Sequence, residues 1–216
     1  MIGIYGGTFD PVHFGHLRTA LELKSLFKLT EVRLIPCANP PHRAVPLTPP
    51  LMRLQMLQLA LANRQGLVAD ACELARTGPS YTIDTLRELR AEQGDTPMLL
   101  FMGMDAFAGL ALWHQWQHLF DYAHIVVITR PGFKMPLDLP FFDQRLAINA
   151  EVLPTIPNGK LFFQSVTQLD ISATAIRLLI ARREDPHFLL PDSVIDFILQ
   201  HKLYKTEQAA IAAEQI

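Results

Sequence analysis

The stretch GGTFDPVHFGHL, Gly6 to Leu17, places two glycines, a proline and two histidines between a short apolar run and a helix-like pattern. Gly6 and Gly7 let the main chain turn sharply and approach a ligand closely, and a helix starting just beyond them presents unpaired N–H groups and a positive dipole end. That combination is an anion cradle. His13 and His16 sit three apart around Gly15, where two imidazoles can donate hydrogen bonds to one phosphate group. A lone glycine pair or a lone histidine pair reads more simply as a strand-to-helix turn. A metal reading lacks the nearby Cys, Asp or Glu cluster that would complete the ligand set. What separates this stretch from both is the whole order: strand, GG, D-P, then H-x-G-H opening a helix.

A second candidate is ISATAIR at 171–177. Ser172 is placed to cap a helix, Ile176, Leu179 and Ile180 form its apolar stripe, and Arg177 projects from its first turns, where a guanidinium can clamp phosphates bidentately. Four further loops carry chemistry-bearing types. NPPHR (39–43) is stiff and ends in the cation Arg43. GPSYTIDTL (78–86) sets Ser80, Tyr81 and Thr82 at a helix start, ready to offer N–H groups to a carboxylate. MGMDAF (102–107) carries Gly103 and Asp105, and an acidic side chain accepts from ribose hydroxyls. LWHQW (112–116) supplies Trp113, whose face can stack on a pyridinium for about 1 to 2 kcal/mol when desolvated, and Trp116, expected to pack in the core.

Elements must hold these loops together. Short apolar runs at 2–5, 31–37, 66–74, 98–103, 124–130 and 160–165 alternate with stretches whose apolar residues recur three and four apart, such as Leu17, Ala20, Leu21, Leu23 and Phe27, or Ile83, Leu86 and Leu89. This alternation predicts βαβ units and an α/β fold with a doubly wound, mostly parallel sheet, ending in a small helical C-terminal part. Ligands of such sheets bind beyond the carboxyl ends of the strands, near the switch in strand order. Proline-rich stretches at 46–50, 130–140 and 152–159 read as loops inside one domain spanning 1–205, with 206–216 a helical or frayed tail.

Composition narrows the partners. The formal charge is −2, from 19 basic and 21 acidic residues, so no global field favours nucleic acid or an anionic membrane, and phosphate binding must be local. Cys37 and Cys72 cannot build a disulfide framework and read as small buried hydrophobes. No signal-peptide pattern and no spanning run of apolar residues is present, which points to a soluble cytoplasmic protein.

GGTFDPVHFGH and ISATAIR together resemble the two signatures of the nucleotidyltransferase superfamily that shares H-x-G-H with class I aminoacyl-tRNA synthetases. With NPPHR, PSYT, GMD and the tryptophan loop in this order, the chain from 1 to about 205 resembles the bacterial nicotinate mononucleotide adenylyltransferases. That resemblance implies a Rossmann-like fold and transfer of the adenylyl group of ATP to nicotinate mononucleotide, with Mg²⁺ bound through ATP phosphates and no protein side chain assigned to it. It implies that His13, His16 and Arg177 act on the phosphates, and that Gly7, Thr8, Phe9, Gly15, Gly103, Asp105, Ser172 and Thr174 bind ATP. Arg43, Tyr81, Thr82, Trp113 and His114, the last through its backbone, would hold the mononucleotide. Other acceptors, nicotinamide mononucleotide or phosphopantetheine among them, and a non-catalytic nucleotide-binding regulator are the competing readings. A class I synthetase fragment is disfavoured because no KMSKS-like element is present. The residues leave the oligomeric state open.

Overall fold

A strand buried on both faces needs apolar side chains at consecutive positions, and the runs that form the inner strands at 98–103 and 124–129 meet that requirement. The computed structural model describes residues 1–40, 46–129, 141–167 and 169–205. Its strands coincide with the runs: β1 Ile2–Gly7, β2 Glu31–Pro36, β3 Leu67–Ala69, β4 Met98–Gly103, β5 His124–Thr129 and β6 Leu161–Ser165. They form one sheet in the order β3-β2-β1-β4-β5-β6, every neighbour parallel, as the doubly wound reading expects. β1 is central and pairs with β2 on one side and β4 on the other, with Ile4 opposite both Arg33 and Leu100. The strand order therefore switches between β1 and β4.

Helices cover both faces. α1 (Phe14–Leu26), α2 (Pro50–Leu61), α5 (Ala173–Ala181) and α6 (Asp192–Gln200) share one core, and α3 (Thr82–Gln93) and α4 (Met104–Ala108) share the other. The two-residue period of a strand divides β4 between them. Leu99 and Phe101 join Leu23 of α1 and Met56 and Leu57 of α2, whereas Met98, Leu100 and Met102 join Ile83, Leu86 and Leu89 of α3. α6 is the expected helical C-terminal part. The stretch at 46–50 is less of a loop than its prolines suggest, because Pro50 opens α2. Proline costs nothing there, since the first N–H groups of a helix have no partner inside it. Within 152–159 the chain forms a 3₁₀ turn, Ala150–Thr155, capped by the Asn149 side chain accepting from Glu151 N–H. The expected loop at 130–140 and the tail at 206–216 lie outside the described residues. Among the described residues no helix is long and apolar enough to cross a membrane.

The two edges of the sheet are held differently. At the edge where strands begin, Arg90 of α3 donates to the main-chain oxygens of Gly94, Thr96, Tyr122 and Pro157, tying together the approaches to β4, β5 and β6. Buried His124 bridges Ile156 O and Lys160 N at the same edge, and burial lowers its pKa. The edge where strands end is free of these ties and carries the candidate chemistry.

Gly3, in the middle of the sheet, leaves no room for a side chain. A Cβ there would lie 2.5 Å from Phe101 Cε2 and 2.9 Å from Leu29 Cδ1, both in the core. Gly3→Ala should therefore cost about 1–3 kcal/mol by overpacking. Urea unfolding measures the loss, and a variant as stable as the parent would contradict this packing.

Candidate active site

The loops leaving β1, β2 and β4 enclose a cleft of about 450 Å³, within the usual range for small-ligand sites. Gly6, Gly7 and Thr8 line it from the end of β1, Cys37 and Pro40 from the end of β2, and Gly103 and Asp105 from the end of β4. Ser80, Tyr81, Thr82 and Thr85 line it from the start of α3, and Trp113 and His114 from the stretch after α4. Eight of the residues expected from sequence thus face one space: Gly7, Thr8, Tyr81, Thr82, Gly103, Asp105, Trp113 and His114. Trp116 does not, and packs on Phe141 and Phe142 as expected. Arg43 lies outside the described residues.

The turn from β1 to α1 is built by rings lying over glycines. Phe9 is 1 % exposed at a φ of 50°, and a Cβ on Gly7 would come within 2.9 Å of its ring. His13 caps α1 in extended conformation, and its ring lies 2.9 Å from where a Gly15 Cβ would be. Gly15 is thus required by the ring of His13 rather than by its own φ. The His13 and His16 rings lie 3.8 Å apart between centroids. His13 N–H donates to His16 Nδ1 at 3.4 Å, so a neutral His16 carries its hydrogen on Nε2. His13 Nδ1 is buried with no hydrogen-bond partner among the described residues.

The second motif docks on this turn. Ser172 caps α5 by accepting from Ala175 N–H at 3.1 Å, as the sequence predicts. Arg177 donates to Asp10 O at 2.7 Å and to Thr174 Oγ1 at 3.1 Å, which fixes the guanidinium beside the histidine loop. Ile171 O lies 3.6 Å from the position of a Gly15 Cβ. Phe9, His13, Gly15, His16, Ser172, Thr174 and Arg177 are therefore brought together at the β1 side, next to the cleft rather than among its lining residues.

On the other side α3 begins at Thr82 with Tyr81 as its cap, and no side chain bonds the free amides of its first turn. Simple side-chain capping, the plainer reading of PSYT, is absent. Ser80 Oγ instead accepts from Ala38 and Asn39 N–H at 3.1 and 3.0 Å, tying this helix start to the loop after β2. The Tyr81 and His114 rings lie 4.4 Å apart at 34°. Ser80 was legible as a polar residue at a helix start, but its bond to residues some forty positions earlier was not.

Two buried residues beside the cleft have no role assigned from sequence: Arg53, outside every motif, and Asp10 of the D-P step. Arg53 of α2 has no exposed surface and reaches the carbonyls of Thr8, Cys37 and Thr48. Asp10 is buried and accepts from Leu47 and Thr48 N–H at 3.0 and 3.3 Å and from the Tyr204 hydroxyl.

A model of the cytidylyltransferase-like family matches residues 4–179. The chain belongs to this family. It is 47 % identical over 208 residues to a Methylococcus capsulatus protein with the name "Probable nicotinate-nucleotide adenylyltransferase", covering 94 % of this chain and 99 % of that one. A protein of the same name from Hahella chejuensis is 48 % identical over 208 residues, covering 94 % of this chain and 95 % of the other. The solved structure of Plasmodium falciparum nicotinic acid mononucleotide adenylyltransferase complexed with NaAD shares the fold, with a TM-score of 0.71 at 19 % identity, covering 94 % of this chain and 96 % of that one.

In this cytidylyltransferase-like chain the two motif histidines are uncharged near neutrality. Burial lowers the pKa of His13 to about 4, and burial together with the neighbouring His13 lowers that of His16 to about 3. Neutral rings can donate to phosphate without first repelling each other. An imidazole in the unfolded chain titrates near 6.5, so as pH falls the unfolded state binds protons that the folded state still refuses. Stability supplied by these rings is complete above about 6.5 and is lost progressively as pH falls to about 4. The Tm should accordingly fall between pH 7 and pH 4, with a shallower fall in His16→Asn. Identical slopes in thermal scans of both proteins would contradict the burial of these rings.

Proposed function

We propose that this chain transfers the adenylyl group of ATP to nicotinate mononucleotide, giving nicotinate adenine dinucleotide and pyrophosphate in NAD biosynthesis. The observation that carries this reading is the 47 % identity, over nearly the whole of both chains, to a protein bearing the name of that activity. The two ends of the cleft agree with it. The glycine turn, with His13, His16 and Arg177 beside it, suits a triphosphate. The α3 amides, with Tyr81, Thr82, Trp113 and His114, suit a pyridine ring bearing a carboxylate. The reaction belongs, on this reading, to the cytoplasm.

On this reading Gly7, Thr8, Phe9 and Gly15 shape the path of the ATP phosphates, and Gly103 and Asp105 meet the ribose. Ser172 and Thr174 hold Arg177 in place on the phosphates, Thr174 through its hydroxyl and Ser172 by starting the helix. Thr82 and the amides around it take the nicotinate carboxylate, Trp113 stacks on the ring with Tyr81 and His114 close by, and Arg43 approaches the mononucleotide phosphate.

The acceptor phosphate is already an anion, so it attacks the α-phosphorus of ATP in line without a general base, and pyrophosphate leaves. Catalysis then rests on positioning and on donors aimed at developing charge. Mg²⁺ suits this cleft as a companion of ATP: its acidic lining residues are Glu73 and Asp105, and the described residues hold no cluster of three or more ligands for a metal of their own. Bound chiefly through phosphate oxygens, the ion supplies neutralisation of the triphosphate.

Pyrophosphate release from ATP with each mononucleotide tests the proposal. Nicotinate mononucleotide should give the higher kcat/KM, and a preference for nicotinamide mononucleotide would overturn the choice of acceptor. Release from neither would overturn the enzyme reading. His13→Ala and His16→Ala should each lower kcat by roughly 10² to 10³ with the fold retained, read by the same assay alongside circular dichroism.

A further inference from the structure

Arg53 lies on α2, outside every motif, and none of it is exposed. Its guanidinium donates to three carbonyls: Nη1 to Thr8 at 2.7 Å, Nη2 to Cys37 at 2.7 Å and Nε to Thr48 at 3.0 Å. No carboxylate pairs with it among the described residues. The buried carboxylate of Asp10 meets the same Thr48 through its N–H, and its other partners are Leu47 and Tyr204. Arg53 therefore keeps a full positive charge in a place where burying an unpaired ion is expensive.

The position of that charge is informative. Thr8 and Cys37 both line the cleft, immediately beyond β1 and β2, so the guanidinium lies one carbonyl behind the wall. Arg90 offers the comparison within the same molecule. It also grips carbonyls, but it is partly exposed and works at the opposite edge of the sheet, far from the cleft. A carbonyl tie alone thus needs neither full burial nor this location. With the motif histidines neutral, Arg53 and Arg177 are the cations set at the β1 turn beside the carboxylate of Asp10, while the carboxylates of Glu73, bonded to Thr85, and of Asp105 on α4 line the cleft elsewhere.

We infer that Arg53 is a positioning residue of the nucleotide site whose charge is itself used. Its hydrogen bonds fix the two segments that bound the cleft at Thr8 and Cys37 to the turn before α2 at Thr48, and its guanidinium, unpaired with any carboxylate among the described residues, sets a positive potential behind the wall that selects phosphorylated ligands over their uncharged nucleosides. This rests on the reading above that the cleft takes anionic nucleotides.

Calorimetry with ATP and with adenosine, on the parent and on Arg53→Met, Arg53→Lys and Arg90→Met, tests it. Arg53→Met should weaken ATP binding by about tenfold or more while adenosine binding changes little, as expected for loss of one weakly screened charge. Arg53→Lys keeps the charge but not the three-carbonyl geometry. It should retain most of the ATP-over-adenosine ratio while kcat for pyrophosphate release falls. Arg90→Met should lower Tm and leave the ratio unchanged. Equal losses for ATP and adenosine in Arg53→Met, or a ratio in Arg53→Lys that collapses to one, would overturn the inference. If Arg53→Met does not fold, the Arg53→Lys ratio decides the matter. A parent protein that binds ATP yet does not use nicotinate mononucleotide would fail the proposed reaction, while the ratios would still decide the role of Arg53.

Discussion

Asp10 is 4 % exposed, and its carboxylate receives the N–H groups of Leu47 and Thr48 and the hydroxyl of Tyr204, so stretches of chain far apart in sequence meet on two oxygens. A buried carboxylate without donors is costly, and here the donors come from the loop ahead of α2 and from beyond α6. The Asp10 carbonyl takes Arg177 as well. The turn bearing both histidines is therefore held by residues near 50, 177 and 204 at once. Thr48 Oγ1 closes the arrangement by donating to the Tyr204 oxygen. Burial beside Asp10 raises the Tyr204 pKa, so the phenol keeps its proton. Displacing any one partner leaves buried polar atoms unmet on the others.

Around this anchor the electrostatics are arranged for an anionic guest. The two imidazoles are held neutral by burial, one with its tautomer set by a main-chain N–H, and the acceptor side offers amides of a helix start that no side chain has taken. Ser80 joins that helix start to the loop after β2, its hydroxyl accepting from Ala38 and Asn39 N–H and its own N–H donating to Asn39 O. The glycines contribute space: Gly7 accommodates Phe9, and Gly15 accommodates His13.

How much of this was legible follows from how local each signal is. All six strands lie within the apolar runs, β4 and β5 because they are buried on both faces, although the edge strand β3 takes only Leu67–Ala69 of its run and leaves Val68 exposed; α1, α3 and α5 followed from their helical spacing. The Ser172 cap was readable for the same reason, and the expected packing of Trp116 holds in part, since it lies half-buried against one core rather than inside it. Arg53 and Tyr204 were not. An arginine in a helix and a tyrosine near the end of the described chain ordinarily reach solvent, and nothing near them in sequence announces that their partners lie 5 to 194 residues away. α2 was hidden by the prolines at its start, which mark a loop and a helix entry with the same letters.

The grip of Arg53 has an evolutionary side. Its three short bonds go to carbonyl oxygens, which every residue type possesses, and among the side chains at 8, 37 and 48 it meets only Cys37 Sγ, at 3.9 Å. A substitution at Thr8, which lines the cleft, can alter what the cleft touches without removing the carbonyl that Arg53 holds. A clamp of this kind lets one family keep its phosphate turn while the wall facing the acceptor drifts toward new substrates.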